Sequence, residues 1–139
     1  MKTPEYAFVA LGSNLGDRHA HLAEARRQLG LLPGSRVIAA SAIEETEPIG
    51  PAAQGRYLNQ MVLLLTALSP DALLAQCLAI EYLAGRVRRE RWGPRTLDLD
   101  IVRFGDGRID QPNLRVPHPE LPHRPFWQRE LEELAPHAR

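Results

Sequence analysis

A chain of 139 residues with 44% hydrophobic and 24% charged residues has the balance of one globular domain over 1–139, not that of a disordered or membrane chain. Lys+Arg and Asp+Glu each count 17, so no global field marks a general binder of nucleic acid or of anionic membranes, and charge must act locally. The lone Cys77 excludes an intrachain disulfide. Phe8 to Leu11 is too short an apolar stretch for a signal peptide, and Met61 to Leu65 falls far below the ~20 residues that span a bilayer. A cytoplasmic protein is expected.

Tyr6 to Leu11 reads as a short buried strand running into the turn sequence Gly12-Ser13-Asn14-Leu15-Gly16-Asp17, whose last residue is a helix N-cap candidate. Leu22, Ala25, Leu29 and Leu32 then recur at helical spacing until Pro33-Gly34 stops them, and Val37 to Ile43 resumes as a β-branched strand. Glu44 to Arg56 holds Pro48, Gly50, Pro51 and Gly55 and is predicted to be a long loop. Leu58 to Thr66 is the next strand. Ser69-Pro70-Asp71 opens a helix with cap, N1 proline and first-turn acid in their preferred places, and Gly85 ends it. Its apolar face includes Cys77, which is assigned to core packing and not to catalysis. Thr96 to Val102 alternates with period two, and the tail after Leu114 reads as loop followed by a short helix over Gln128 to Leu134. The order βαββαβ predicts an α+β ferredoxin-like sandwich with long loops over the sheet and a C-terminal extension packing back onto it. Such a fold names no function.

The densest chemistry lies in Arg91-Trp92-Gly93-Pro94-Arg95-Thr96-Leu97-Asp98-Leu99-Asp100-Ile101. Asp98 and Asp100, two apart on a strand, point to one face roughly 6 to 7 Å apart, close enough to hold one hard cation or a pair about 3.5 to 4 Å apart. An arbitrary pair of this kind is more often the solvated face of an amphipathic strand. Here Arg86, Arg88, Arg89, Arg91 and Arg95 crowd the approach with only Glu90 among them, and guanidinium forks match phosphate oxygens. Metal plus polyphosphate is the reading. No P-loop and no G-x-G-x-x-G opening a helix is present, so the Gly12 to Asp17 turn is either a tight connection or support near a substrate. Tyr57 and Asn59 offer an aromatic plane and an amide on one strand face, and Phe126 an opposing plane, suiting a flat heteroaromatic ligand; singly, each aromatic is more often core. His118, between Pro117 and Pro119, is either a surface residue or a phosphate contact.

Taken together, Ala10 to Asp17 (A-L-G-S-N-L-G-D), Tyr57-Leu58-Asn59, Gly85-Arg86-x-Arg88, Arg91 to Ile101 and Val116-Pro117-His118-Pro119 resemble the 6-hydroxymethyl-7,8-dihydropterin pyrophosphokinase family over about Ala7 to Pro136. The resemblance implies transfer of pyrophosphate from ATP to the pterin hydroxymethyl group, releasing AMP, in tetrahydrofolate biosynthesis. It implies two Mg²⁺ ions on Asp98 and Asp100, with Arg86 and Arg95 neutralising transition-state charge. Glu81, Arg88, Arg91, Ile101, His118 and Arg124 would contact ATP. Thr46, Ile49, Tyr57, Asn59, Trp92 and Phe126 would hold the pterin, Trp92 from a closing loop. A monomer without nucleic-acid or membrane partners is expected. Two departures from the family pattern are Leu78, where some relatives carry a polar residue, and the polar Trp127-Gln128-Arg129-Glu130 stretch. Rival readings are an RNA-binding module, which lacks the aromatic strand signature, an ATP-binding pseudoenzyme, which Arg86, Arg95, Asp98 and Asp100 argue against, and a two-metal phosphohydrolase.

Overall fold

Among the described residues, two of the three α-helices start where the sequence supplies an oxygen for an otherwise unpaired amide. The computed structural model, which describes residues 3–47, 55–85 and 96–138, runs in the order β1 (Glu5–Ser13), α1 (Arg18–Gly30), β2 (Ser35–Ala40), β3 (Glu44–Thr46), β4 (Tyr57–Thr66), α2 (Pro70–Leu83), β5 (Asp98–Phe104), β6 (Ile109–Gln111), β7 (Leu114–Val116) and α3 (Pro125–Leu134). The Asp17 carboxylate accepts the Ala20 N–H at the head of α1, and the Ser69 hydroxyl accepts the Ala72 N–H at the head of α2. Gly85, at φ 81°, stops α2 in the left-handed conformation expected of a residue just past a helix end. α3 has no side-chain cap and begins instead on Pro125, whose missing N–H needs no acceptor.

The main sheet has the order β2-β4-β1-β5, and every neighbouring pair is antiparallel. β3 pairs with Tyr57 to Asn59 of β4, past the end of β2 on the same edge. Between them Ser41 completes the ladder: its N–H donates to the Met61 carbonyl at 2.8 Å, its hydroxyl accepts the Met61 N–H at 2.9 Å, and its carbonyl accepts the Gln60 amide at 2.7 Å. The predicted α+β class and antiparallel sheet are found. The start of the predicted loop is a strand, and a β6–β7 hairpin follows β5 where only loop was expected.

Both faces of the sheet are covered. Ala7, Val9, Leu11, Leu58, Val62, Leu64, Leu99 and Ile101 pack on one face under Leu22, Ala25 and Leu29 of α1 and Leu73, Cys77 and Ile80 of α2. Ala10, Met61, Leu63 and Val102 pack on the other, against Trp127 and Leu134 of α3. Covering on both sides explains why β4 carries a continuous apolar run, Met61 to Leu65, in place of strict alternation. Cys77 is buried as expected, and desolvation pushes its thiol up to about 12, so no thiolate is available near neutral pH. No helix among the described residues is long and apolar enough to cross a membrane.

Candidate active site

Strand register brings the chemistry together. Asp98 of β5 lies opposite Gly12 of β1, and Gly12 lies opposite Asn59 of β4; one row on, Asp100 lies opposite Ala10, and Ala10 opposite Met61. Residues in one cross-strand row share a face. Ala10 and Met61 belong to the α3 core, so Asp98, Asp100, Asn59 and, two residues before it, Tyr57 all project on the face that α3 partly roofs. The alternation read in β5 therefore holds: Leu99 and Ile101 go into the α1/α2 core, and the half-buried aspartates go to the opposite side.

Gly12 lets this face stay open. A Cβ at that position would sit 3.4 Å from both Asn59 Oδ1 and Tyr57 Cδ1, so the glycine is the floor beneath the tyrosine ring and the amide. Asn59 is 7% exposed and donates from Nδ2 to Thr46 Oγ1 at 2.6 Å, which fixes the amide's orientation. Thr46 lies opposite Tyr57 on β3. The structure places it on a strand and not in the predicted loop, with its hydroxyl holding Asn59.

A second group converges from the C-terminal side. His118 Nε2 lies 3.6 Å from Asp100 Oδ1, and its Nδ1 accepts the Glu120 N–H at 3.0 Å. A ring nitrogen that accepts an amide proton carries none itself, so the neutral imidazole has its proton on Nε2, toward the aspartate. The His118 N–H donates to the Val102 carbonyl at 2.9 Å, tying the loop to β5. The His118 ring meets Trp127 edge-on at 5.0 Å and 83°, and Arg124 Cζ stands 4.4 Å from the centre of the same indole. Arg124 Nε is buried and has no hydrogen-bond partner among the described residues. Phe126 is half-buried beside Trp127, with ring centres 6.3 Å apart. On the outer side of His118 an open groove of about 390 Å³ runs between Arg108, Arg115 and Leu121.

Glu81 and Ile101 stand apart from this cluster. Glu81 is 5% exposed on α2, on the other side of the sheet, where Oε2 accepts the Leu99 N–H at 2.7 Å, at the β5 peptide between the two aspartates. The Ile101 side chain is buried in the α1/α2 core, so only its main chain can face a ligand. Ile49, Arg86, Arg88, Arg91, Trp92 and Arg95 lie outside the described residues.

Two carboxylates on one strand face are hard oxygen donors suited to Mg²⁺, which takes few protein ligands and fills its octahedron with water and phosphate oxygens. The described residues gather no group of three or more His, Cys, Asp or Glu that could hold a metal ion. The sequence leaves the Gly12 to Asp17 turn as either a tight connection or support near a substrate; the closeness of Gly12 to Tyr57 and Asn59, and of Trp127 to His118, is not legible in it because each contact depends on the tertiary fold.

Known proteins resemble this chain over most of its length. The family model described as 7,8-dihydro-6-hydroxymethylpterin-pyrophosphokinase matches residues 8–136. A Pseudomonas aeruginosa protein named 2-amino-4-hydroxy-6-hydroxymethyldihydropteridine pyrophosphokinase is 45% identical over 132 residues, covering 95% of this chain and 82% of the relative. Proteins of the same name from Pseudomonas putida and Bacillus subtilis are 48% identical over 112 residues (81% of this chain, 92% of the relative) and 42% identical over 128 (92% and 77%). The chain thus belongs to the 7,8-dihydro-6-hydroxymethylpterin-pyrophosphokinase family and is an ATP-dependent diphosphotransferase.

Proposed function

We propose that this chain transfers the pyrophosphoryl group of ATP to 6-hydroxymethyl-7,8-dihydropterin in the cytoplasmic synthesis of folate, acting as a monomeric single domain of ferredoxin-like topology. One observation carries the reading: Tyr57, Asn59, Asp98 and Asp100 occupy one sheet face around Gly12, with His118 beside Asp100. A flat, polar-edged ring and a metal-bound polyphosphate are the two ligands such a face suits together.

In this proposal the pterin lies between Tyr57 and Phe126, its amide edge reading Asn59, whose orientation Thr46 holds. Ile49 and Trp92 complete that pocket. Asp98 and Asp100 would hold two Mg²⁺ ions, which would supply charge neutralisation for the phosphates. The hydroxymethyl oxygen attacks the β-phosphorus; the bond from the β-phosphorus to the bridging oxygen of the α-phosphate breaks, AMP leaves, and the hydroxyl proton is lost near Asp98. Arg86 and Arg95 balance the developing charge, and Arg88, Arg91, His118 and Arg124 grip the triphosphate. Glu81 and the Ile101 main chain lie toward the ribose and base. Held substrates leave little covalent chemistry to the protein, so positioning and electrostatics dominate.

The test is AMP formation from ATP and Mg²⁺ with and without the dihydropterin, with the product followed by mass. AMP should appear one-to-one with pterin pyrophosphate. Asp98→Ala and Asp100→Ala should each lower turnover by about 100-fold or more while melting near the parent temperature, because neither side chain packs in a core. Parent-like turnover in either variant sinks the metal assignment, and AMP without modified pterin favours a hydrolase.

A further inference from the structure

We infer that Trp127 is a positioning residue which sets the distance and angle of His118 and Arg124 for the nucleotide's phosphates. The inference rests on the pyrophosphokinase reading and goes beyond it to a side chain that no ligand need touch.

Both groups meet one indole. Arg124 lies over the ring at 4.4 Å, within the roughly 6 Å at which a cation is attracted to an aromatic face. His118 meets the same ring edge-on at 83°, the arrangement aromatic quadrupoles prefer. The ring cannot drift, because Trp127 is 2% exposed and locked among Ala10, Met61, Val102 and Leu134.

The two clients are otherwise lightly held. His118 is fixed through Nδ1 by the Glu120 N–H, which still permits the ring to rock about that bond; the perpendicular contact with the indole restricts this freedom and leaves Nε2 directed to the Asp100 side. Arg124 Nε has no hydrogen-bond partner among the described residues. The aromatic face holds the guanidinium without competing for its N–H groups, which stay available to an anion. A carboxylate in the same place would orient the arginine but also spend those donors.

The experiment uses the full chain and calorimetric titration with Mg²⁺ and a non-hydrolysable ATP analogue, and separately with the dihydropterin. Trp127→Leu should weaken analogue binding about tenfold and change dihydropterin binding by less than about twofold, whereas Trp127→Phe, which keeps an aromatic face, should stay within about threefold of the parent. In a His118→Ala, Arg124→Ala background, Trp127→Leu should cost less than about twofold, since nothing is left to position. Equal costs in both backgrounds, or equal losses for nucleotide and pterin, overturn the inference and leave Trp127 a packing residue. If Trp127→Leu does not fold, the His118 ring-proton NMR signals of Trp127→Phe decide: they should move while those of His19, His21 and His137 stay, and unmoved His118 signals overturn it. A parent protein that binds no nucleotide removes the pyrophosphokinase reading itself, whereas nucleotide binding indifferent to residue 127 removes only the positioning role.

Discussion

Glu130 is the residue least at ease in this fold. It stands one turn beyond Trp127 on the inner side of α3, is 3% exposed, and has no hydrogen-bond partner for either carboxyl oxygen among the described residues. Burial, and next the charges of Glu44 and Glu133, push its pKa up from 4.5 to about 8, with Arg129 opposing only in part. Arg129 is drawn off to Glu44 at 2.6 Å and so does not neutralise it, while Glu133, which accepts the Ala42 N–H at 3.0 Å, adds a like charge. The acid is thus carried protonated at neutral pH. Because the folded pKa lies above the unfolded value, the folded state holds the extra proton between about pH 4.5 and 8. The contribution is fully present below the unfolded value and is lost as pH rises through the folded one, by up to about 1.4 kcal/mol per pH unit. Glu130→Leu should remove that slope. In urea melts the variant should gain on the parent by about 2 kcal/mol or more between pH 5 and pH 8, and a gap that stays constant with pH would show that the carboxyl is not protonated when folded.

At the scale of elements, the site depends on β1 carrying a residue without a side chain, Gly12, at its next-to-last position. The register seats Gly12 between Asn59 and Asp98, and a Cβ there would just touch the Tyr57 ring and the Asn59 amide. Gly12→Ala should therefore cost little, whereas the second carbon of Gly12→Val must displace one of them. The expectation is a rise of about tenfold in KM for the pterin in Gly12→Val with less than about threefold in Gly12→Ala; equal kinetics in both would mean that Tyr57 and Asn59 do not form the pterin floor. Local signals were the legible ones. Period-two spacing put Asp98 and Asp100 on one face, and Asp17, Ser69, Pro70 and Gly85 marked helix ends, because alternation and capping involve residues a few positions apart. Glu44–Thr46 falls within the loop expected from the proline and glycine density of Glu44 to Arg56; its strand forms because the end of β4 offers an edge. α3 was placed from Gln128 although it starts at Pro125, where the N1 proline was the unused signal. The cross-strand rows join residues tens of positions apart, and the Trp127 cluster joins a loop to a helix start within ten; no local periodicity records either.

For the whole molecule, the two faces of the sheet are unequally secured. Among the described residues eighteen buried hydrophobics form the α1/α2 core, and six form the α3 core, which in addition takes in the uncompensated acid of Glu130. Free energy of local opening follows buried apolar contact, so α3 should detach from the sheet before β1, β4 and β5 separate. That asymmetry matters for chemistry: Arg124, Phe126 and the Trp127 support of His118 all ride on α3 or its first turn, while Asp98, Asp100, Tyr57 and Asn59 belong to the sheet. In the proposed reading, the residues that would grip phosphate and those that would seat the metal thus sit on units of different stability. Native-state hydrogen exchange should show amides of the last two turns of α3 opening at lower free energy than those of β1 and β4, by about 2 kcal/mol or more. The gap should widen from pH 6 to pH 8 as Glu130 ionises, and shrink when Mg²⁺ and an ATP analogue bridge the two units. Exchange of α3 and the central strands through one common opening would mean that the small core is as secure as the large one, and that the roof of the site moves only when the whole fold does.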